Sequence, residues 1–292
     1  MMPMEQNIIV RGIGGFYDVL TPENRVIRCK LRGRLRLSIE KVLVGDWVEI
    51  SVLNNGEGVI EKILPRKNEL TRPPIANLDQ AVVVLACSDP KPDWLFLDRL
   101  LVIIEANQLR PVICINKSDL LDQEQHLDRI ELYQKIGYEV IVTSTVDNQG
   151  IDCLRAVLKD QVSTFAGPSG VGKSSLLNKI ESGLELPVGA ISTKLKRGRH
   201  TTRSVELIQL SFGGLVADTP GFSQLNLGSI PAPELQQYFP EIFTAALECK
   251  FRGCIHLKEP DCAVREMVAS GEISELRYQN YLALLTEIEQ KR

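Results

Sequence analysis

The chain has 292 residues, of which 44% are hydrophobic and 24% charged, with a formal net charge of -3. That length leaves room for two or three domains, and that composition excludes a wholly disordered chain. The longest apolar runs, such as Ala81 to Cys87, are too short to span a bilayer, and Met1 to Gln6 lack the basic start and apolar stretch of a secretory signal. A cytoplasmic protein with no membrane partner is therefore expected.

Residues 1–70 read as short strands separated by turns: Asn7 to Val10, Phe16 to Leu20, Val26 to Leu37, Trp47 to Leu53 and Gly58 to Leu64. About five strands in so short a stretch predict a small closed β-barrel of the OB type. In the third strand Arg28, Lys30, Arg32, Arg34 and Arg36 alternate with Cys29, Leu31, Gly33, Leu35 and Leu37. A period of two puts all five cations on one face. A solvated barrel exterior is one reading of that face. A nucleic-acid phosphate backbone is the better one, because five neighbouring like charges repel unless an anion faces them.

Pro65 and the Thr71-Arg72-Pro73-Pro74 stretch read as a linker, after which short apolar runs alternate with helical patterns. That alternation predicts a mostly parallel, doubly wound α/β sheet over residues 71–231. Within it, Gly167-Pro168-Ser169-Gly170-Val171-Gly172-Lys173-Ser174 matches G-x-x-x-x-G-K-S, between the strand Val162 to Ala166 and a helix beginning at Ser175. Backbone N–H groups of such a loop converge on phosphate, the lysine reaches the β and γ phosphates, and the serine hydroxyl ligates Mg²⁺. Asp218-Thr219-Pro220-Gly221 ends an apolar strand, so Asp218 would reach the Mg²⁺ shell through water and the Gly221 N–H would sense the γ-phosphate.

Asn116-Lys117-Ser118-Asp119 follows the strand Val112 to Ile115. A carboxylate at Asp119 accepts from both guanine N1–H and N2–H₂, which adenine does not offer, so GTP and GDP are the expected ligands. The base-reading loop precedes the phosphate loop, the reverse of the common order, which implies a circular permutation. A guanine-contacting turn is expected around Ser144-Thr145. Between the phosphate loop and Asp218 lies Gly198-Arg199-His200-Thr201-Thr202, flanked by a basic run from Lys194 to Arg203. Thr202, or Thr201, would complete the Mg²⁺ shell. His200 is either a water-orienting group and general base or a solvent-exposed histidine, and Phe222 stands where Ras-like proteins carry a glutamine.

From Pro231 the pattern turns helical, with Pro233 opening a helix toward Leu247 and further helices over Ala263 to Ala269 and Ile273 to Lys291. Cys249, Cys254, His256 and Cys262 fall within fourteen residues and supply a complete tetrahedral set, which predicts one structural Zn²⁺ in a domain over 232–292. The other cysteines, Cys29, Cys87, Cys114 and Cys153, read as scattered thiols, mostly buried. No heptad seam argues for an oligomer, so a monomer is expected.

Together these residues resemble the circularly permuted, ribosome small-subunit-dependent GTPase A family of bacteria. The resemblance rests on Gly45-Asp46-Trp47-Val48 in the barrel, the N-K-S-D, G-P-S-G-V-G-K-S and D-T-P-G order, the G-R-H-T-T segment and the cysteine–histidine cluster. It implies a GTPase of late small-subunit maturation that contacts rRNA through its barrel and leaves on GTP hydrolysis. Two rivals are a nucleotide-gated rRNA-binding protein in which hydrolysis is incidental, and an ATP-dependent phosphotransferase.

Overall fold

The structure is a computed structural model and describes residues 6–33, 35, 41–71, 73–120, 127–181, 183–184, 205–218, 227 and 230–290. Five strands open the chain: β1 (Asn7–Ile13), β2 (Phe16–Leu20), β3 (Val26–Leu31), β4 (Trp47–Val52) and β5 (Gly58–Ile63). They pair in the order β1-β2-β3-β5-β4, and β4 returns to β1 through Asn7↔Val48 and Ile8↔Trp47, which closes a barrel. Ile9, Val19, Cys29, Val48 and Ile60 fill its interior.

β3 is shorter than the alternation of cations predicts. It ends at Leu31; the Arg32 N–H still donates to the Ile60 carbonyl at 3.1 Å, and the Leu35 N–H turns back to the Arg32 carbonyl at 2.9 Å. Gly33, which weakens a strand interior, sits where regular pairing stops. Arg28 and Lys30 thus share the outer face of a strand, Arg32 lies past its end, and Arg34 and Arg36 fall outside the described residues.

The expected linker is also more structured than its prolines suggest. β6 (Glu69–Thr71) and β7 (Pro74–Ala76) form a small hairpin. Around it Arg66 holds the buried Asp46 from two nitrogens, Nε at 2.6 Å and Nη2 at 2.9 Å, and Asn77 donates to the Gly45 carbonyl at 2.8 Å.

Beyond the hairpin, β8 (Gln80–Ala86), β9 (Arg110–Asn116), β10 (Glu139–Val142), β11 (Val162–Ala166) and β13 (Leu215–Asp218) run parallel in the order β10-β9-β8-β11-β13, with β12 (Glu206–Gln209) antiparallel beside β13. Strands buried on both faces read as continuous apolar runs, and β8 is buried throughout. Val82 and Val84 face α3 (Ile151–Leu158) and α4 (Lys173–Ile180). Ala81, Val83 and Leu85 face α1 (Trp94–Ala106) and, beyond it, the C-terminal helices. The helix α2 (Leu127–Ile136) covers the β10 side.

The C-terminal segment departs from the expected single helix. Ala232–Tyr238 is a 3-10 segment, and a separate helix α5 (Pro240–Ala246) follows. Pro240 has no N–H to give and forces Phe239 into an extended conformation (φ -125°, ψ 89°), so one helix cannot run through. The helices α6 (Ala263–Ser270) and α7 (Glu275–Gln290) complete the fold. No helix among the described residues is long and apolar enough to cross a membrane.

Candidate functional site

The parallel strands β8, β9, β11 and β13 all deliver their carboxyl ends to one edge of the sheet, where ligands of open α/β folds bind. At that edge Gly167 has φ 137°, and a Cβ there would stand 2.2 Å from the Val84 carbonyl oxygen, so only glycine lets the loop lie against β8. Gly172 has φ 96°, and its Cβ would stand 2.4 Å from Asn116 Nδ2. The absent side chain is what brings the base-reading loop and the phosphate loop into contact.

That contact is specific. Asn116 is buried; its amide donates to the Val171 carbonyl at 2.8 Å and its Oδ1 accepts from Thr143 Oγ1 at 3.0 Å. Asn116 therefore ties β9 to the phosphate loop on one side and to the end of β10 on the other. Lys117 adopts a left-handed conformation (φ 62°) and donates to the Asp89 carbonyl in the loop after β8. Ser118 donates to Gln149 at 2.7 Å, and Asp119 accepts from the Ser144 hydroxyl at 2.7 Å. Ser144 itself accepts from the Val146 and Asp147 N–H groups at 3.1 and 3.2 Å, so the turn expected near Ser144 is held against Asp119.

Lys173 opens α4 behind Gly172 and folds over the loop, donating to the carbonyls of Gly167 (2.8 Å) and Pro168 (2.6 Å). Burial pushes its ammonium below the ordinary lysine range. Pro168, Ser169, Gly170 and Val171 form the turn between, with Val171 buried in the core, and Ser174 and Ser175 sit in the first turn of α4, Ser174 buried. Asp218 occupies the last position of β13, beside β11, in register with Glu206 of β12. Thr202, Thr201, His200, Gly221 and the basic run from Lys194 to Arg203 lie outside the described residues.

The second candidate site is the cysteine–histidine cluster. Cys262 Sγ lies 3.9 Å from Cys249 Sγ and 3.8 Å from Cys254 Sγ, while His256 Nδ1 lies 3.6 Å from Cys249 Sγ and 3.4 Å from Cys262 Sγ. All four donor atoms fall within 4.8 Å of one another. A tetrahedral cation bound by sulfur at about 2.3 Å has S···S edges of roughly 3.8 Å. The donor set therefore fits a metal with no position left open.

The surroundings orient that set. His256 Nδ1 faces the thiols, and Nε2–H donates to Gln236 Oε1 at 2.8 Å. Burial pushes the imidazole below its ordinary pKa, toward the neutral form a metal needs. Glu259 accepts from the N–H groups of Ile255 (2.7 Å), Leu257 (2.8 Å) and Lys258 (2.9 Å). Despite the opposing effect of burial, these backbone donors hold its carboxyl at about 2. Neither Gln236 nor Glu259 was singled out by the sequence. Glu259 sits between His256 and Cys262, where a loop wrapped on a metal leaves N–H groups unpaired, and that position was the available signal.

The remaining cysteines follow the sequence reading with one exception. Cys29, Cys87 and Cys114 are buried, and burial pushes their thiols up to about 11, 11 and 12. Cys153 is exposed, on the outer side of α3.

On the barrel, Arg28 and Lys30 stand over the Phe16 ring, 4.6 and 4.9 Å from its centroid. Lys30 also pairs with Glu57 at 3.7 Å and Arg32 with Glu61. The described cations of β3 are thus partly offset by acids on β5 and its approach.

The N-K-S-D loop at the end of β9, the G-x-x-x-x-G-K-S loop after β11 and the aspartate ending β13, in that chain order, are the arrangement of a circularly permuted P-loop GTPase domain. The RsgA GTPase family matches residues 63–228, and the RsgA N-terminal domain matches residues 6–60. A protein of Caldanaerobacter subterraneus named small ribosomal subunit biogenesis GTPase RsgA is 50% identical over 286 residues, covering 98% of this chain and 96% of its own. One of the same name from a Geobacillus species is 48% identical, with 99% of both chains covered. Crystal structures of YjeQ from Thermotoga maritima (TM-score 0.87, 40% identity, 99% of both chains) and of YloQ, a circularly permuted GTPase (TM-score 0.84, 41% identity, 98% and 96%), share the fold. The chain belongs to the RsgA GTPase family.

Proposed function

We propose that this chain hydrolyses GTP to GDP and phosphate and acts in late maturation of the small ribosomal subunit, with turnover raised by the subunit. The observation that carries the reading is the Asn116–Val171 bond, which joins the base-reading and phosphate loops into one nucleotide site. Relatives that match nearly the whole chain carry the name of a small-subunit biogenesis GTPase, which supports the choice of partner. Cytoplasmic action follows from that partner.

In this reading Asp119 accepts from the guanine edge, with Ser144 fixing the carboxylate from behind. Lys173 exchanges the Gly167 and Pro168 carbonyls for the β and γ phosphates, and its burial strengthens that attraction. The glycines of the loop let backbone N–H groups approach the phosphates. Ser174, Thr202 and Asp218 would hold Mg²⁺, which neutralises charge on the phosphates when bound. The Gly221 N–H would report the γ-phosphate and His200 would orient the attacking water.

The remaining parts take supporting roles. Cys249, Cys254, His256 and Cys262 would hold one Zn²⁺ that fixes the loop of a C-terminal domain over 232–292, with a barrel over 1–70 and a GTPase domain over 71–231. Arg28, Lys30 and Arg32, with Arg34 and Arg36, would contact rRNA phosphates. The protein works as a monomer.

The test is GTP turnover by the purified protein, alone and with purified small or large ribosomal subunits. Stimulation by small subunits only is the expected result. No stimulation by either would remove the subunit from the reading and leave a GTPase acting on another RNA.

A further inference from the structure

Among the described residues, two routes between the barrel and the central sheet lead to opposite ends of the nucleotide domain, and a hydrogen bond from Gln209 of β12, opposite Leu215 at the start of β13, to Asn24 before β3 at 3.1 Å adds a third contact. One route runs from Asp46 through Arg66 to the linker, where Lys67 pairs with Asp79 and Asp79 accepts from the Val162 N–H at 2.6 Å. Val162 is the first residue of β11, so this route ends at the edge of the sheet away from the nucleotide motifs. The other runs through β1. Its first residues pair with β4 and close the barrel, while Arg11 pairs with Glu206 of β12. A register shift between Ile9 and Arg11 makes this division possible, because a bulge bends one strand so that it serves two neighbours.

The registers across these strands line up. Arg28 on β3 is opposite Asp18 on β2, Asp18 is opposite Arg11 on β1, Arg11 is opposite Glu206 on β12, and Glu206 is opposite Asp218 at the end of β13. One cross-strand row of five charged residues thus runs from the basic strand of the barrel to the D-T-P-G aspartate, over roughly 19 Å at strand spacing. Its signs alternate from Arg28 to Glu206, the arrangement in which directly opposite residues attract. At the joint itself β1 and β12 share one register pair among the described residues, Arg11–Glu206, whose charged groups lie 4.0 Å apart. A cavity of about 260 Å³, lined by Gly12, Tyr17, Lys41, Pro74 and Val205 among others, flanks the joint, while Val10 of β1 and Val205 and Leu207 on either side of Glu206 are buried in one apolar cluster.

We propose that this row couples the barrel to the nucleotide site, with Arg11 and Glu206 as the positioning residues that carry the coupling across the joint. The row enters the sheet at Asp218, on the nucleotide edge, whereas the Asp46–Arg66 route enters at the opposite end. A shift of β13 with the nucleotide therefore reaches the barrel through β12 and Arg11, and an anion seated on Arg28 acts on β13 by the same path. The proposal rests on the GTPase reading above.

Hydrogen exchange of the full-length protein tests it, with GDP and with a non-hydrolysable GTP analogue, in the wild type, Arg11→Glu, Glu206→Arg and the double reversal. In the wild type, exchange at Arg11–Ile13 should differ between the two nucleotides by roughly fivefold, the scale of one cross-strand charge pair. Each single variant should lose the difference and the double reversal should regain it, with GDP affinity the same in all four. A nucleotide effect that stops at β12 and β13, or single variants that keep the barrel response, would overturn the proposal. Absence of any nucleotide effect at Gly167–Ser175 would instead overturn the GTPase reading, and the proposal with it.

Discussion

Among the described residues the Ser144 hydroxyl donates to one Asp119 oxygen at 2.7 Å, and the proposed reading gives the second oxygen to the base. Asp119→Asn keeps the size of the side chain but replaces an acceptor of two charge-assisted bonds with a group that accepts one. Hydrogen bonds to a charged group contribute about 1.5–3 kcal/mol each, so GDP affinity should fall roughly 10- to 100-fold. Titration with a fluorescent GDP derivative measures it, and unchanged affinity would take Asp119 out of the site. Gly172→Ala acts one step further back. The new Cβ meets Asn116 Nδ2 and forces apart the Asn116–Val171 pair, and Gly172 also sits at φ 96°, which alanine adopts at a cost of about 1–2 kcal/mol. Nucleotide binding should weaken more than melting temperature, since the strain falls at the site rather than in the core.

At the scale of elements, the loop from Cys249 to Cys262 depends on ligands it gathers itself. A chelator should melt α5 and α6 while leaving the barrel and the parallel sheet intact, visible as a partial loss of helical circular dichroism with GDP still bound. Glu259 adds a second, metal-independent clasp. Its carboxyl is held at about 2 against an ordinary 4.5, so its stabilisation is present in full above pH 4.5 and is lost as pH falls through about 2. Glu259→Gln should therefore lower the melting temperature at neutral pH, and the gap to wild type should close on acidification. An equal gap at pH 3 and pH 7 would show that charge is not what the loop uses.

Most strand and helix periods, the G-x-x-x-x-G-K-S and N-K-S-D loops and the cysteine–histidine cluster were legible because each is a local pattern carried by neighbouring residues, whereas the alternation of cations runs to Leu37 and β3 stops at Leu31. The 3-10 segment before Pro240 was missed for a local reason, a proline read as interior to one helix. Glu259, Gln236 and the Arg11–Glu206 joint have another cause. Each acts through a partner set by tertiary register, and no spacing in the sequence encodes which strand β1 will meet.

The whole molecule shows the same limit at the contact between the central sheet and the C-terminal helices. Arg277 on α7 and Asp98 on α1 are buried at 1% and 0% exposure and pair with each other. Arg277 also donates to Glu241 of α5 at 2.6 Å, and its guanidinium lies 4.5 Å from the Phe239 ring centroid. Asp98 accepts further bonds from Tyr133 at 2.7 Å and Asn280 at 2.6 Å. Burial pushes the Asp98 carboxyl up against the pull of Arg277, Tyr133 and Asn280. Four separate elements thus converge on one ion pair, which makes it the fastening of the C-terminal helices rather than a large source of net stability. Removing one partner strands the other: Arg277→Ala should cost about 3–5 kcal/mol, whereas replacing both, Arg277→Met with Asp98→Leu, should cost far less, because a paired apolar substitution leaves no buried charge. Urea denaturation of the two variants distinguishes these cases. If the double replacement is as damaging as the single, the pair fixes the seating of α7 on α1, and the charge itself is required.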